Sequence, residues 1–377
     1  MAREARAQPA GSGREWVGWM STKFPLEIPA ALGLTVFCPE SAAAAASCRG
    51  ESSALCQAAE EMGYCRDLCS YVRMGMALAA GQTAGGPPRP DFLLCCNNIC
   101  SGMLQWYRAL ARTLDIPLFL LDFPYQEDRE PSPSLVAYLR AQITEVVRGL
   151  EELTGRRWDP LRFQEVCRQA NRSAQAWQRV MDAALASPSP LGNMELFDYM
   201  PLMVTGRCAK ETEQQLEALA GKLQSRAVRP GGSPKRRIFW EGTPCWPALD
   251  RVVDLLDRKN VQIVADTLTP SLGFRYEDLD GLIRAYCGTI NGVSLERGLE
   301  MRTELCRRYR VEGILVHYNR SCRPWCGALQ ETERRLGREL EVPVVSFHGD
   351  QGDPEAFSAA QFELRLDTLC ELMDQKS

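Results

Sequence analysis

The chain has 377 residues, 45% apolar and 24% charged, an ordinary composition for a water-soluble protein and too long for one typical core, so two domains are expected. Its net charge of −4 offers no basic field to a nucleic acid, and no apolar run is long enough to cross a bilayer, so neither nucleic acid nor membrane is expected as a partner. Sixteen cysteines beside only two histidines are the departure from the ordinary, and they restrict any metal site to thiolate or carboxylate ligands.

Residues 1–20 carry Gly, Ser, Pro and Arg with no apolar stretch behind the arginines, which predicts a flexible tail and not a secretory signal. The expected location is cytoplasmic, where the cysteines would stay reduced. The run "LGLTVF" (32–37) predicts a strand buried on both faces, helical periodicity extends through 52–80, and "DFLLCCN" (91–97) predicts a second buried strand. In "SGMLQWYRALARTL" (101–114) Met103, Trp106, Leu110 and Leu114 share a helix face, and "IPLFLLDFP" (116–124) predicts a third strand. Helical stretches follow at about 133–154, 160–186 and 210–226, then the Pro/Gly-rich "RAVRPGGSPKRR" (226–237) reads as a linker. Strands are next expected at 237–242, 261–266, 313–318 and 342–347, and helices at 245–258, 295–310, 324–340 and 353–373.

Alternating strands and helices predict parallel sheets. The expected fold is α/β: two open parallel-sheet domains with a helical segment between them. The boundaries are a tail (1–20), an N-terminal domain (21–158), a helical segment with linker (159–235) and a C-terminal domain (236–377). Ligands of such sheets sit beyond the carboxyl ends of the strands. "CCNNIC" (95–100) and "NRSCRPWC" (319–326) both fall there.

Three cysteine pairs share one spacing: Cys65/Cys69, Cys96/Cys100 and Cys322/Cys326. Residues four apart lie on one helix face, about 5–6 Å between Cβ atoms, which suits two ligands of a cluster better than a disulfide. A helix N-terminus further favours thiolate over thiol. No C-x-x-C occurs, which argues against structural zinc, a thioredoxin-type pair and a ferredoxin-type run. Core packing accounts for any one pair; three pairs, two of them at strand ends, favour iron–sulfur ligation. Cys95 is a possible substitute for Cys96. No P-loop and no dinucleotide fingerprint is present. Two strand-end residues, Glu241 and His317, are candidate catalytic groups, and "HGDQGDP" (348–354) reads as a tight turn capped into the last helix by Asp353.

The stretches "EEMGYCRDLCSYVRMGM" (60–76), "CCNNICSGMLQWYRALARTLDIPLFLLDFPY" (95–125), "WEGTPCW" (240–246), "HYNRSCRPWCG" (317–327) and "FHGDQGDPEAFSAAQFELRLDTL" (347–369) resemble the 2-hydroxyacyl-CoA dehydratase and benzoyl-CoA reductase superfamily. The resemblance implies two Rossmann-like, cluster-binding domains with a cubane cluster between them on three cysteines, matching Cys69, Cys100 and Cys322 here. The additional cysteines Cys65, Cys96 and Cys326 make the chain look most like the double-cubane cluster proteins. That branch implies a homodimer that takes electrons from an ATP-hydrolysing iron–sulfur activator and reduces small unsaturated molecules, with all six cysteines as ligands. The alternative is a subunit of a 2-hydroxyacyl-CoA dehydratase with a single 4Fe-4S cluster and a non-identical partner, eliminating water from a 2-hydroxyacyl-CoA. A third reading is a cluster-bearing electron carrier without turnover of its own.

Overall fold

In a computed structural model of the chain, residues 14–81, 86–227 and 235–376 are described. Much of the expected linker, 228–234, lies outside them. The first sheet contains β1 (Val17–Met20), β2 (Thr35–Phe37), β3 (Phe92–Cys96) and β4 (Leu118–Leu121), all parallel, in the order β2-β1-β3-β4. The second contains β5 (Arg236–Glu241), β6 (Val261–Asp266), β7 (Gly313–Asn319) and β8 (Val344–Gly349), also parallel, in the order β6-β5-β7-β8. The two halves thus repeat one strand order. In each, the chain reverses its direction of travel across the sheet between the first and third strands of the half, which opens a crevice at their carboxyl ends.

β1 corrects the expectation of a tail over 1–20: Val17–Met20 is an inner strand, paired to both β2 and β3. Its signal was weak because it is only four residues long and includes Gly18, which the sheet requires because a Cβ there would run into the Phe92 ring. The helix expected through 52–80 is two helices, Ser52–Glu61 and Ser70–Ala79. Gly63, at φ 93°, turns the chain between them in a conformation that other residues resist. β3 reads as a continuous apolar run because both its faces are covered: Phe92, Leu94 and Cys96 enter one core, Leu93 and Cys95 the other.

The halves interlock. Helix Pro160–Asp182 contributes Phe163, Cys167 and Ala170 to the core of the first half and Ala174, Trp177 and Val180 to that of the second. Helix Leu279–Cys287, which follows β6, sends Leu282, Ile283 and Tyr286 back into the first core. The buried Glu27 carboxylate gathers Arg207 (3.3 Å), the Tyr286 hydroxyl (3.0 Å) and the Tyr276 hydroxyl, binding three distant segments at one charge. Among the described residues, no helix is long and apolar enough to cross a membrane.

Candidate functional site

Several helices begin at cysteines, and three of these cysteines belong to the expected pairs. Cys69 is the N-cap of Ser70–Ala79, Cys100 the N-cap of Ser101–Leu114, and Cys322 the N-cap of the one-turn helix Arg323–Cys326. Cys100 follows β3 and Cys322 follows β7, the equivalent places of the two sheets. An N-cap faces backbone N–H groups that have no carbonyl to bond, and these stabilise negative charge on its side chain. The Cys100 sulfur accepts from the Met103 N–H at 3.3 Å. The nearby amides of Val72 and Tyr71 lower the pKa of Cys69, and that of Trp325 lowers the pKa of Cys322, without a cap hydrogen bond at either sulfur.

Cys100 acts on Cys69, and both act on Cys322. Burial pushes Cys69 up to about 11, with Asp350 and Cys100 adding to it. Burial raises Cys322 further, reinforced by Cys69, Cys100 and Cys326. Burial also raises Cys100, and Glu40 adds to it. Burial thus raises all three thiols, while a helix N–H is directed at the sulfur of Cys100. Buried polar atoms without a hydrogen-bond partner lie on the same turns: Ser70 Oγ, Asn98 Oδ1 and Trp325 Nε1. Among the described residues, no group of three or more His, Cys, Asp or Glu is placed to hold a single metal ion. Three cysteine thiols at helix N-termini are of the donor chemistry that iron–sulfur clusters take.

The other cysteines are placed differently. Cys65 is exposed, and its sulfur accepts from the Asp67 N–H at 3.4 Å. Cys96 is fully buried against the Ser21 hydroxyl at 3.3 Å, and Cys326 points at the Asn319 carbonyl at 3.1 Å. The expectation that each pair shares a helix face holds only for Cys322 and Cys326. Residues 62–69 are not helical, and Cys96 ends a strand. Cys95 is no substitute for Cys96, because neighbouring strand residues point to opposite faces; its sulfur approaches the Met103 carbonyl in the other core.

The two residues expected to be catalytic are occupied by structure. Glu241, 0% exposed, makes a double hydrogen bond to Arg302 (Nε to Oε2 and Nη2 to Oε1, both 2.8 Å) and accepts from Thr267. His317 holds its Nδ1 proton against the Thr243 carbonyl, which leaves Nε2 to accept from the Cys245 thiol at 3.2 Å. Burial pulls His317 down to about 4, so it is a neutral core imidazole and not a proton donor at pH 7. Above its ordinary value of 6.5 the ring is neutral in folded and unfolded chains alike. As pH falls from there toward 4, the unfolded chain binds a proton that the folded one refuses, and stability drops by about 3 kcal/mol. His317→Gln should flatten this part of the stability profile; denaturation midpoints across that window that fall as steeply in the variant would contradict the assignment.

Two residues that sequence reasoning missed stand at the site. Glu40, 5% exposed, follows the N-cap Cys38; its oxygens accept from Thr22 N (2.9 Å), Thr22 Oγ1 (3.0 Å), and at 3.4 Å from both Cys38 Sγ and the Tyr107 hydroxyl. Burial raises its pKa, and its charge reaches Cys96 and Cys100. Gln351 lies in the "HGDQGDP" turn and donates Nε2–H to Cys69 Sγ at 3.1 Å. Only composition had marked that turn. Asp353 caps only the short 3-10 turn Pro354–Ala356, accepting from the Glu355 N–H at 3.1 Å, and not the last helix as expected, which Ser358 caps.

The halves close over this site. Ser70 N–H bonds Ser321 Oγ at 3.2 Å, Asn98 Nδ2 reaches the Tyr286 carbonyl at 3.2 Å, and the buried Arg73 joins Glu60 (2.7 Å) to Asp353 (2.9 Å).

A sequence model of the family described as "2-hydroxyglutaryl-CoA dehydratase, D-component" matches residues 21–373. The (R)-phenyllactyl-CoA dehydratase alpha subunit of Clostridium sporogenes is 40% identical, over 96% of this chain and 90% of that one. The alpha subunit of (R)-2-hydroxyglutaryl-CoA dehydratase from Acidaminococcus fermentans is 34% identical, over 96% and 92%. A benzoyl-CoA reductase subunit of Thauera aromatica is more distant, at 25% identity over 90% and 84%.

Proposed function

From the premise that the chain belongs to the 2-hydroxyglutaryl-CoA dehydratase D-component family, we propose that it is the alpha subunit of a 2-hydroxyacyl-CoA dehydratase, with Cys69, Cys100 and Cys322 holding one 4Fe-4S cluster. The observation that carries this reading is the meeting of three N-cap thiols from both halves of the chain. It displaces the double-cubane homodimer as the leading reading. Relatives named dehydratase alpha subunits are more similar to this chain than the one named a reductase subunit. Cys65 and Cys96 also stand apart from the gathered three: one faces solvent and the other packs on Ser21.

A cluster bound here would supply one-electron transfer at low potential. The chain's own residues then do three things. The helix N-termini hold the thiolates. The interlocked halves bring the thiols of both sheets to one side of the molecule, partly shielded from solvent. Glu40, buried and accepting from Thr22 and Tyr107, braces the start of its helix and adds negative charge near Cys100. The partners are a second, non-identical subunit and an activator that couples ATP hydrolysis to electron delivery; this chain carries no P-loop for that task.

Anaerobic protein is expected to contain about four iron and four sulfide per chain. With partner subunit, activator, ATP and reductant it should convert a 2-hydroxyacyl-CoA to the enoyl-CoA. About eight iron per chain, with reduction of an unsaturated substrate by this chain and activator alone, would restore the double-cubane reading.

A further inference from the structure

We propose that Gln351 is a positioning residue that delivers an amide N–H to the sulfur of Cys69, and that Asn319 dictates which end of that amide faces the sulfur. The inference rests on the reading of Cys69 as a cluster ligand.

Which end of a side-chain amide faces a neighbour must be argued from its partners. Here the chain of partners starts from a group that cannot be reversed. The Gln351 main-chain N–H can only donate, and its acceptor is Asn319 Oδ1 at 3.4 Å. That fixes Asn319 with its Nδ2 on the other side, where it donates to Gln351 Oε1 at 2.8 Å. With Oε1 so occupied, the end of Gln351 left for Cys69 is Nε2, at 3.1 Å. Both residues are buried, 1% and 4% exposed, so water does not compete for these bonds. The Trp246 N–H holds the Gln351 carbonyl at 3.3 Å and anchors the loop from behind.

Asn319 ends β7 and acts on Cys322 and on Cys69 by different atoms. Its main-chain carbonyl accepts the Cys322 N–H at 3.0 Å, which shapes the turn that presents that sulfur. Its side chain, through Gln351, acts on Cys69 in the other half of the molecule. One residue thereby sets the polarity around ligands from both sheets.

An N–H directed at a ligand sulfur stabilises negative charge there. The reduced cluster carries more of that charge than the oxidised one, so the bond favours reduction and raises the potential. Replacing Gln351 by methionine keeps the approximate length and removes the donor. Asn319→Ser leaves its own main-chain contacts but removes both side-chain bonds to Gln351, to the main-chain N–H and to Oε1, which frees the amide to turn.

The test is a redox titration of the anaerobic holoprotein followed by electron paramagnetic resonance, with iron measured on the same samples. Gln351→Met should keep its iron and titrate at a more negative potential than wild type. Asn319→Ser should shift in the same direction by less. An unchanged midpoint in iron-replete Gln351→Met overturns the proposal. If that variant loses iron, Asn319→Ser decides, and an unchanged midpoint there overturns it equally. Loss of iron from both variants, with the wild type loaded, also overturns it, since the pair would then hold the loop and not tune the ligand. Absence of iron from the wild type, or its retention by Cys69→Ser, marks instead a failure of the underlying ligand assignment.

Discussion

Cys322→Ser should leave the chain without a stable cluster and reduce dehydration to the background of the assay, whereas Cys65→Ser and Cys326→Ser should keep wild-type iron. The asymmetry follows from position. Cys322 is the one N-cap thiol of the three that comes from the second half, and the charges of Cys69 and Cys100 both reach it. Serine would leave an iron with a poor oxygen donor on a one-turn helix that has little else to fix it. Cys65 lies in solvent and Cys326 is spent on the Asn319 carbonyl. Iron and sulfide analysis of the three anaerobic proteins is the measurement. Loss of half the iron in Cys65→Ser and in Cys326→Ser would instead support six ligands.

Arg302→Leu should destabilise the protein by about 3–5 kcal/mol, because it strands a charged carboxylate in the core. Glu241 is 0% exposed, and Arg302 gives it two of its hydrogen bonds. Arg302 also donates to the Gly298 carbonyl at 3.0 Å and lies over the Trp325 ring at 5.6 Å, so it supports the turn that Cys322 begins. The double variant Glu241→Leu/Arg302→Leu should recover much of the loss, since it removes both charges together. Urea denaturation of the two variants is the measurement. A loss below about 1 kcal/mol in Arg302→Leu would mean that the pair is solvated after all.

These two groups of residues show what could be read from the sequence. Cys69, Cys100 and Cys322 stood at recognisable places, after strands or before helices, and β3 and β7 announced themselves as continuous apolar runs. The spacing of four that joined each to a neighbour was less informative than it looked. It assumed a helix where Gly63 had turned the chain, and another where a strand was ending. Glu241 looked catalytic because it ends a strand, but its partner lies 61 residues away on a helix, and no local pattern ties the two together. Glu40 and Gln351 were missed for the same reason: each matters through a residue brought near by the fold, Cys100 for one and Cys69 for the other. β1 was lost to its brevity and to a glycine that only the packing of Phe92 explains.

The distribution of the three thiols also bears on biosynthesis. Cys69 and Cys100 leave the ribosome more than two hundred residues before Cys322. On the proposed ligand set, a nascent chain that has emitted its first sheet can offer iron only two of the three sulfurs. Loading with iron and sulfide would then wait for translation of nearly the whole chain. A product truncated before that point would lack Cys322, and one cut before helix Leu279–Cys287 would also lack part of the first core.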